Sequence, residues 1–227
     1  MLIGREFDRN MFIMLVAIMI GAVIITFFIA DIQNKSKIDT LESEHLTEIR
    51  DIHSINENFT DNFLQGSVKM DSAREIRELG NYYFDFALFW YNTALSNTTN
   101  TSVSFCIENC SNAMNQYLDS SIKFTESKPY FETAKSYTEK ERYIEVLGYY
   151  TEFAEIGRQI TTLRYNASNF LKQAVENLSI GDTFNFSLLL EMFNITQDMY
   201  EQLMDQFTEL KDQIDEYLFF NEIRESE

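Results

Sequence analysis

Apolar residues recur at steps of three and four along nearly the whole chain, which is the spacing of one face of an α-helix. Strict alternation of apolar and polar residues, the mark of a half-buried strand, is not sustained anywhere. One Pro and seven Gly among 227 residues leave few positions that interrupt a helix. The pattern therefore predicts an all-α protein built from long helices.

Breaks in this pattern divide the greater part of the chain into about five helices. The first ends near residue 64, before Gln65-Gly66-Ser67, and Pro129 ends the third. A capping box at Thr138–Glu141 starts the fourth, and Gly181-Asp182-Thr183 separates it from the fifth. The remaining predicted ranges are 68–95, 104–128 and 187–223. Long helices with short links pack antiparallel, so we expect an elongated antiparallel bundle.

Twenty consecutive uncharged, mostly apolar residues, Met11–Ala30, precede the bundle. A helix of about 20 residues, rising ~1.5 Å per residue, is long enough to span a bilayer. A cleaved signal peptide would have a shorter apolar region followed by small residues, whereas bulky Phe28 stands near the end of this one. A pilin-like leader and a buried core helix are the other interpretations. We predict a cytoplasmic stub (1–10), a transmembrane signal-anchor helix (11–30), an extracytoplasmic bundle (31–224) and a frayed, charged tail (225–227).

Nine N-x-[ST] sequons indicate which side of the membrane the bundle occupies. This is about threefold more than composition alone would produce, and such sequons mark acceptors for N-glycans on translocated segments. All follow the apolar run, and Asn34 lies too close to the membrane to be modified. A polar, Asn- and Thr-rich surface is the alternative interpretation. The predicted glycosylation sites are Asn58, Asn97, Asn100, Asn109, Asn166, Asn177, Asn185 and Asn194.

The formal charge of −18 lies entirely after the apolar run, because Arg5 and Arg9 cancel Glu6 and Asp8 before it. An acidic surface repels nucleic acid and anionic lipid heads, so no nucleic-acid partner is expected. The bilayer is the expected partner of residues 11–30, and a protein partner or self-association is expected for the bundle.

Cys106 and Cys110 stand four positions apart, which allows three interpretations. Outside the cytosol an isolated pair tends to oxidise, so a local disulfide is the first. Positions i and i+4 of a regular helix have poor disulfide geometry, so this bond requires a distorted first turn. Free buried thiols and a bond to another chain are the alternatives.

Residues 82–91 are apolar on nearly every side of their predicted helix. The cluster predicts either an aromatic core or the lining of a ligand pocket. The residues of that possible pocket are Tyr82, Tyr83, Phe86, Trp90 and Tyr150. Only one E-x-x-H motif, Glu42–His45, is present, whereas a ferritin-like dinuclear site needs two. We therefore expect no metal, no cofactor and no catalytic residues.

A membrane helix that leads into a long helical bundle resembles, in its plan and without shared motif residues, the ligand-sensing part of chemoreceptors and sensor kinases. That resemblance implies a sensory or ligand-binding module that signals through a membrane partner. Our first expectation is instead a membrane-anchored extracytoplasmic glycoprotein with a non-enzymatic structural, adhesive or accessory role. The expected location is the cell membrane, with one span and a cytoplasmic N-terminus.

Overall fold

The computed structural model describes the backbone of residues 3–217 and the side chains of residues 37, 40–41 and 43–217. This part of the chain forms four helices and contains no strand, which confirms the all-α prediction. The expectation of about five helices is wrong, because the break predicted at Gln65-Gly66-Ser67 does not interrupt a helix, so the first two predicted helices are one. The helices are α1 (Ile3–Ser96), α2 (Asn100–Ser136), α3 (Glu141–Ile180) and α4 (Thr183–Asp215).

Gly66 lies inside α1 and does not end it. A Cβ atom at this position would lie 2.7 Å from Cε1 of Phe131, so glycine here lets α2 approach closely. Pro129 likewise lies inside α2, where Phe124 and Phe131 are both fully buried on either side of it. Core contacts on both sides of a local breaker thus keep each helix continuous.

The other predicted boundaries have mixed outcomes. Gly181 does end α3, in a left-handed conformation with φ 77°, and the Asp182 side chain accepts a hydrogen bond from the Asn185 N–H at the start of α4. The capping box predicted at Thr138–Glu141 is wrong: α3 begins after Lys140, whose side chain makes no capping bond. A capping box instead starts α2, between Thr99 and Ser102. The predicted extension of the last helix to residue 223 runs outside the described residues.

The chain divides into two compact units, Met1–Ser54 and Ile55–Glu227. In the first unit the described backbone is helical, and every described side chain is exposed. No helix has an apolar stretch long enough to cross a bilayer within the part of the chain searched, which is limited to the described residues. The side chains of Met11–Ala30 lie outside them, so the transmembrane helix stays a prediction.

The second unit is an antiparallel four-helix bundle. Phe131 of α2 contacts Phe63 of α1, near the start of the bundle, whereas Cys106 donates to the carbonyl of Ala87, near its other end. Ring contacts and hydrogen bonds likewise join α2 to α3, α3 to α4, and α4 to α1 as antiparallel pairs. The contacts are Phe131–Tyr150, Phe153–Phe207, Arg164–Gln197 and Phe84–Phe193.

Small residues repeat at every seventh position on the faces that α1 and α2 turn toward each other. A seven-residue repeat is the signature of coiled-coil-like packing, and small side chains let two backbones lie close. The hydroxyl of Ser120 consequently reaches the carbonyl of Ala73, at 2.7 Å. The buried residues of the two repeats are Gly66, Ala73, Gly80, Ala87 and Ala94 in α1, and Cys106, Ala113, Ser120, Ser127 and Ala134 in α2.

The bundle contains two hydrophobic clusters. One holds Phe63, Phe124 and Phe131 with their neighbours, and the other holds Phe84, Tyr117 and Leu171 with theirs. In α1 the first cluster ends at Ala73 and the second begins at Phe84, so the intervening turns contribute no apolar core residue.

Candidate functional site

Polar side chains from all four helices separate the two hydrophobic clusters. We call this group the arginine layer. Its position inside a bundle core is where ligand sites of helical bundles are usually built. The layer consists of Arg77 and Asn81 from α1, Tyr117 from α2, Arg164 from α3, and Gln197 and Tyr200 from α4.

Arg77 lies in a second seven-residue series of α1, which also faces the core. In this series it stands between Met70 and Phe84. Only 7% of the residue is exposed. Its Nη2 donates to Glu78, at 3.0 Å, and its guanidinium lies over the ring of Phe207, 4.9 Å from the centroid. Its Nε and Nη1 are buried and have no hydrogen-bond partner in the described part of the protein. An unsatisfied buried donor of a charged group costs about 1–3 kcal/mol or more, so this arrangement is unusual for a core.

Arg164 enters the same layer from α3. Its carbon Cζ lies 3.7 Å from the centroid of the Tyr200 ring and 4.8 Å from that of Phe84. Its Nη1 donates to the side-chain oxygen of Gln197, at 2.9 Å, which is a neutral acceptor. Its Nε is buried without a partner, and no described carboxylate lies within ion-pair distance of this guanidinium. The two rings therefore contribute to the stabilisation of its charge, through cation–π contact.

Tyr117 and Asn81 complete the layer. The Tyr117 hydroxyl donates to Asn81 Oδ1, at 2.9 Å. The ring of Tyr117 packs against Gly80, where a Cβ atom would lie too close to it. Burial raises the pKa of Tyr117, and the positive charges of Arg164 and Arg77 oppose that rise. Tyr200 and Asp85 add to the rise.

The two guanidiniums of the layer differ in their ion pairing. Glu78 is the carboxylate that pairs with Arg77, and its side chain is 63% exposed. Burial acts to raise the pKa of Glu78, but the hydrogen bond and charge of Arg77 outweigh it, so the pKa lies below its usual range. Glu78 is therefore ionised at neutral pH. Arg164 has no such ion-pair partner among the described residues, although the exposed carboxylate of Asp85 also lies near the layer and contributes to the raised pKa of Tyr117.

The eight predicted glycosylation sites all lie at accessible positions. Asn58, Asn97, Asn100, Asn185 and Asn194 are exposed, and Asn109, Asn166 and Asn177 are half-buried. They are distributed over all four helices and the α1–α2 loop. The amides of two half-buried residues donate to backbone carbonyls four positions earlier, Asn109 to Phe105 and Asn177 to Gln173.

Cys106 and Cys110 are free, buried thiols in this structure. Both lie within α2, which begins at Asn100, so the distorted first turn that a local disulfide would need is not present around them. The Cys106 thiol donates to the carbonyl of Ala87. A hydrogen bond with Cys106, together with burial, raises the pKa of Cys110 above its ordinary value, which makes its thiol a poor nucleophile.

The five residues of the possible aromatic pocket do not meet at one place. Tyr150 belongs to the first hydrophobic cluster, against Phe63 and Phe131. Tyr82 and Phe86 are exposed and contact each other, with ring centroids 4.8 Å apart. Tyr83 and Trp90 are half-buried at the edge of the second cluster, and the ring of Trp90 packs on Phe105, 4.8 Å away.

A groove of about 430 Å³ lies between α1 and α2 in the region of Lys69, Glu126 and Tyr130. Glu126 accepts hydrogen bonds from Lys69, at 2.7 Å, and from Lys123, at 3.0 Å. These bonds raise the pKa of Lys69 and lower that of Glu126, as expected for an ion pair. The charges of this groove are thus already paired, unlike that of Arg164 in the arginine layer.

Sequence reasoning missed Arg77 and Arg164. The signal that could have found Arg77 is its place in the seven-residue series Phe63, Met70, Arg77, Phe84 and Tyr91, which is otherwise apolar. Within the described part of the chain, no group of three or more His, Cys, Asp or Glu side chains is arranged to hold a metal ion.

Comparison with known proteins gives no relative: the chain matches no protein-family model, no curated protein and no solved structure.

Proposed function

We propose that this protein is a membrane-anchored, extracytoplasmic glycoprotein that presents a four-helix bundle and has a structural, adhesive or accessory role rather than an enzymatic one. The observation that carries the proposal is that none of the eight sequon asparagines is buried, although the bundle is tightly packed. An N-glycan is bulky and hydrophilic, so it requires such a position. The apolar run at Met11–Ala30 supplies the anchor in this proposal.

Apolar side chains on the outer face of α4 support the expectation of a protein partner. Exposed large apolar residues that follow one helix face are typical of interaction surfaces. They recur at steps of three and four, and they are Phe184, Leu188, Met192, Ile195 and Met199.

The intact mass of protein purified from its native membranes, before and after N-glycosidase treatment, tests this proposal. We expect a loss of mass after treatment. The variant Thr60→Ala removes the sequon of Asn58 and should lack one glycan, whereas Thr60→Ser retains the sequon and should match the natural chain. An unchanged mass, together with a bundle that external protease cannot reach in intact cells, would reject the extracytoplasmic location.

A second candidate function is the binding of a ligand within the bundle, as part of a sensory module that acts through a membrane partner. The arginine layer favours it, since buried donors without partners are the groups that a ligand would satisfy. A screen of small ligands by thermal unfolding of the full chain in detergent tests this function. A ligand that binds only the folded bundle must raise its melting temperature.

A further inference from the structure

We propose that the arginine layer is a binding site for a small monocarboxylate. The inference rests on the second candidate function and names its site and ligand class. Arg77 provides the central observation, because it is more than nine-tenths buried and two of its three nitrogens lack a partner.

Hydrogen bonding defines the ligand as an acceptor. The unpartnered atoms in the layer are Nε and Nη1 of Arg77 and Nε of Arg164, and every one of them is a donor. A carboxylate offers two oxygens with about four acceptor positions, so it can accept from several of these donors. A neutral or cationic ligand would not provide the same match.

Charge defines the ligand as a monoanion. Glu78 compensates one of the two guanidiniums, and the charge of Arg164 faces the neutral amide of Gln197 and two aromatic rings. One bound carboxylate would pair with Arg164, which has no carboxylate within ion-pair distance among the described residues. A doubly charged anion would add a second negative charge in a protein that is already strongly acidic, and its transfer from water would cost more.

Aromatic surroundings favour an organic carboxylate over an inorganic ion. Phe84, Tyr200 and Phe207 each present a ring face to one of the guanidiniums. Phe84 and Phe207 are almost fully buried, whereas Tyr200 is only partly buried, so its ring can offer apolar surface to the body of a ligand whose carboxylate meets the arginines. Arg164 is only half-buried, so the ligand would reach the layer on the side of this residue.

Thermal unfolding of the full chain in detergent, titrated with propionate and with propionamide at constant ionic strength, tests the proposal. Propionamide has the same shape as propionate but no charge. We expect propionate to raise the melting temperature, and each tenfold increase in its concentration above the dissociation constant should lower the unfolding equilibrium constant about tenfold. Propionamide should have no such effect. Equal responses to the two compounds, or none to propionate, would overturn the proposal.

Variants locate the effect in the layer. Arg164→Gln should abolish the response to propionate, whereas Arg158→Gln, an arginine of the same helix that pairs with Glu155 on the surface, should preserve it. A response that persists in Arg164→Gln would place the site elsewhere and overturn the assignment. If Arg164→Gln does not fold, the carboxylate ¹³C resonance of propionate is followed by NMR as protein is added. The natural chain should shift this resonance to a saturating value, and the chain carrying Arg77→Lys should not.

Two other results separate this inference from the function on which it rests. Stabilisation by inorganic phosphate and not by propionate would reject the monocarboxylate but keep an anion site. Stabilisation by some other compound of the ligand screen, with no response to propionate, would reject the arginine layer as its carboxylate site and keep the ligand-binding function.

Discussion

Single side chains decide how closely the helices of the bundle approach. A Cβ atom on Gly157 would lie 2.6 Å from Cε1 and Cζ of Phe124, whose ring is fully buried. A Cβ atom on Gly148, nine positions earlier in the same helix, would meet nothing within 4 Å. The two glycines of α3 therefore differ in their role, although both have the same intrinsic cost to a helix.

Alanine substitutions at these two glycines should have opposite effects. Gly157→Ala should lower the free energy of unfolding by up to about 2 kcal/mol, since overpacking costs ~1–3 kcal/mol and the gain in helix propensity returns about 1. Gly148→Ala should raise it by up to about 1 kcal/mol, because only the gain applies. Urea denaturation followed by circular dichroism measures both. A stabilised Gly157→Ala variant would show that Phe124 can move away.

Glu155 is held ionised by its neighbours. It accepts hydrogen bonds from Arg158 on its own helix and from Lys128 on α2, and these lower its pKa to about 2. A carboxyl whose pKa is lowered in the folded state adds stability above its unfolded pKa, and this stability is lost as the pH falls through the folded value.

Replacement of Glu155 by Gln should therefore have an effect that depends on pH. At pH 6 we expect a loss of about 1 kcal/mol, the size typical of a partly exposed ion pair. The difference from the natural chain should shrink as the pH falls from 4.5 toward 2. Urea denaturation at several pH values measures it. Glu152→Gln removes an exposed carboxyl of the same helix and is the control. A loss of stability in Glu155→Gln that stays constant with pH would contradict the ion-pair account.

The two cysteine thiols should resist alkylation while the bundle is folded. Both are fully buried, and the raised pKa of Cys110 reduces the fraction of its reactive thiolate. Iodoacetamide without reductant should modify neither residue in the native protein and both after denaturation, as mass spectrometry would show. The local disulfide considered from the sequence predicts no modification in either state, so the denatured sample distinguishes the two.

The pairing of α1 with α2 depends on seven-residue repeats, which become apparent only when several positions of each helix are compared. The small residues of α1 and α2 recur every seventh position, and hydrogen bonds from Ser120 and Cys106 cross between the two backbones. Ser120 is fully buried at this contact, whereas Ser104 of the same helix is exposed. The close approach of α1 and α2 depends on the size of the residues at these positions.

A larger side chain at the contact should separate the helices. Ser120→Leu should lower the free energy of unfolding by about 1–3 kcal/mol, since it overpacks the interface and removes a buried hydrogen bond. Ser104→Leu adds the same side chain on the surface of α2 and should change stability by less than about 0.5 kcal/mol. Thermal and urea denaturation of the pair measure the difference. Equal stability of the two variants would contradict close packing at Ser120.

Helix content was predictable from the sequence, but helix ends were only partly so. Gly181, followed by the capping residue Asp182, ends a helix as expected, and the side chains of Ile180 and Phe184 on either side of it are exposed. Gly66 and Pro129 carry local signals as well and end nothing: Phe131 packs against Gly66, and Phe124 and Phe131 are buried on either side of Pro129. Local signals decide a boundary only where tertiary packing does not oppose them.

At the scale of the whole molecule, the arginine layer could not be predicted because its members come from four helices. Arg77 and Arg164 are 87 positions apart in the chain, and nothing near either residue indicates the other. The sequence showed which residues are aromatic but not which of them meet, so Tyr150 was grouped with residues of the other hydrophobic cluster. Sites of this kind become visible only when helix register is known.

The second unit should fold without the first. Every buried apolar residue of the described chain lies at or after Phe59, so Ile55–Glu227 contains the complete core of the bundle. A chain that begins at Ile55 should be helical and unfold cooperatively, with a melting temperature within a few degrees of the full chain. A chain that begins at residue 78 lacks Phe59, Phe63, Met70, Ala73 and Arg77 and should lose cooperative unfolding, because the first hydrophobic cluster would lose its contribution from α1. Calorimetry and circular dichroism decide between these outcomes, and a chain from Ile55 without a cooperative transition would show that the preceding residues contribute to the stability of the bundle.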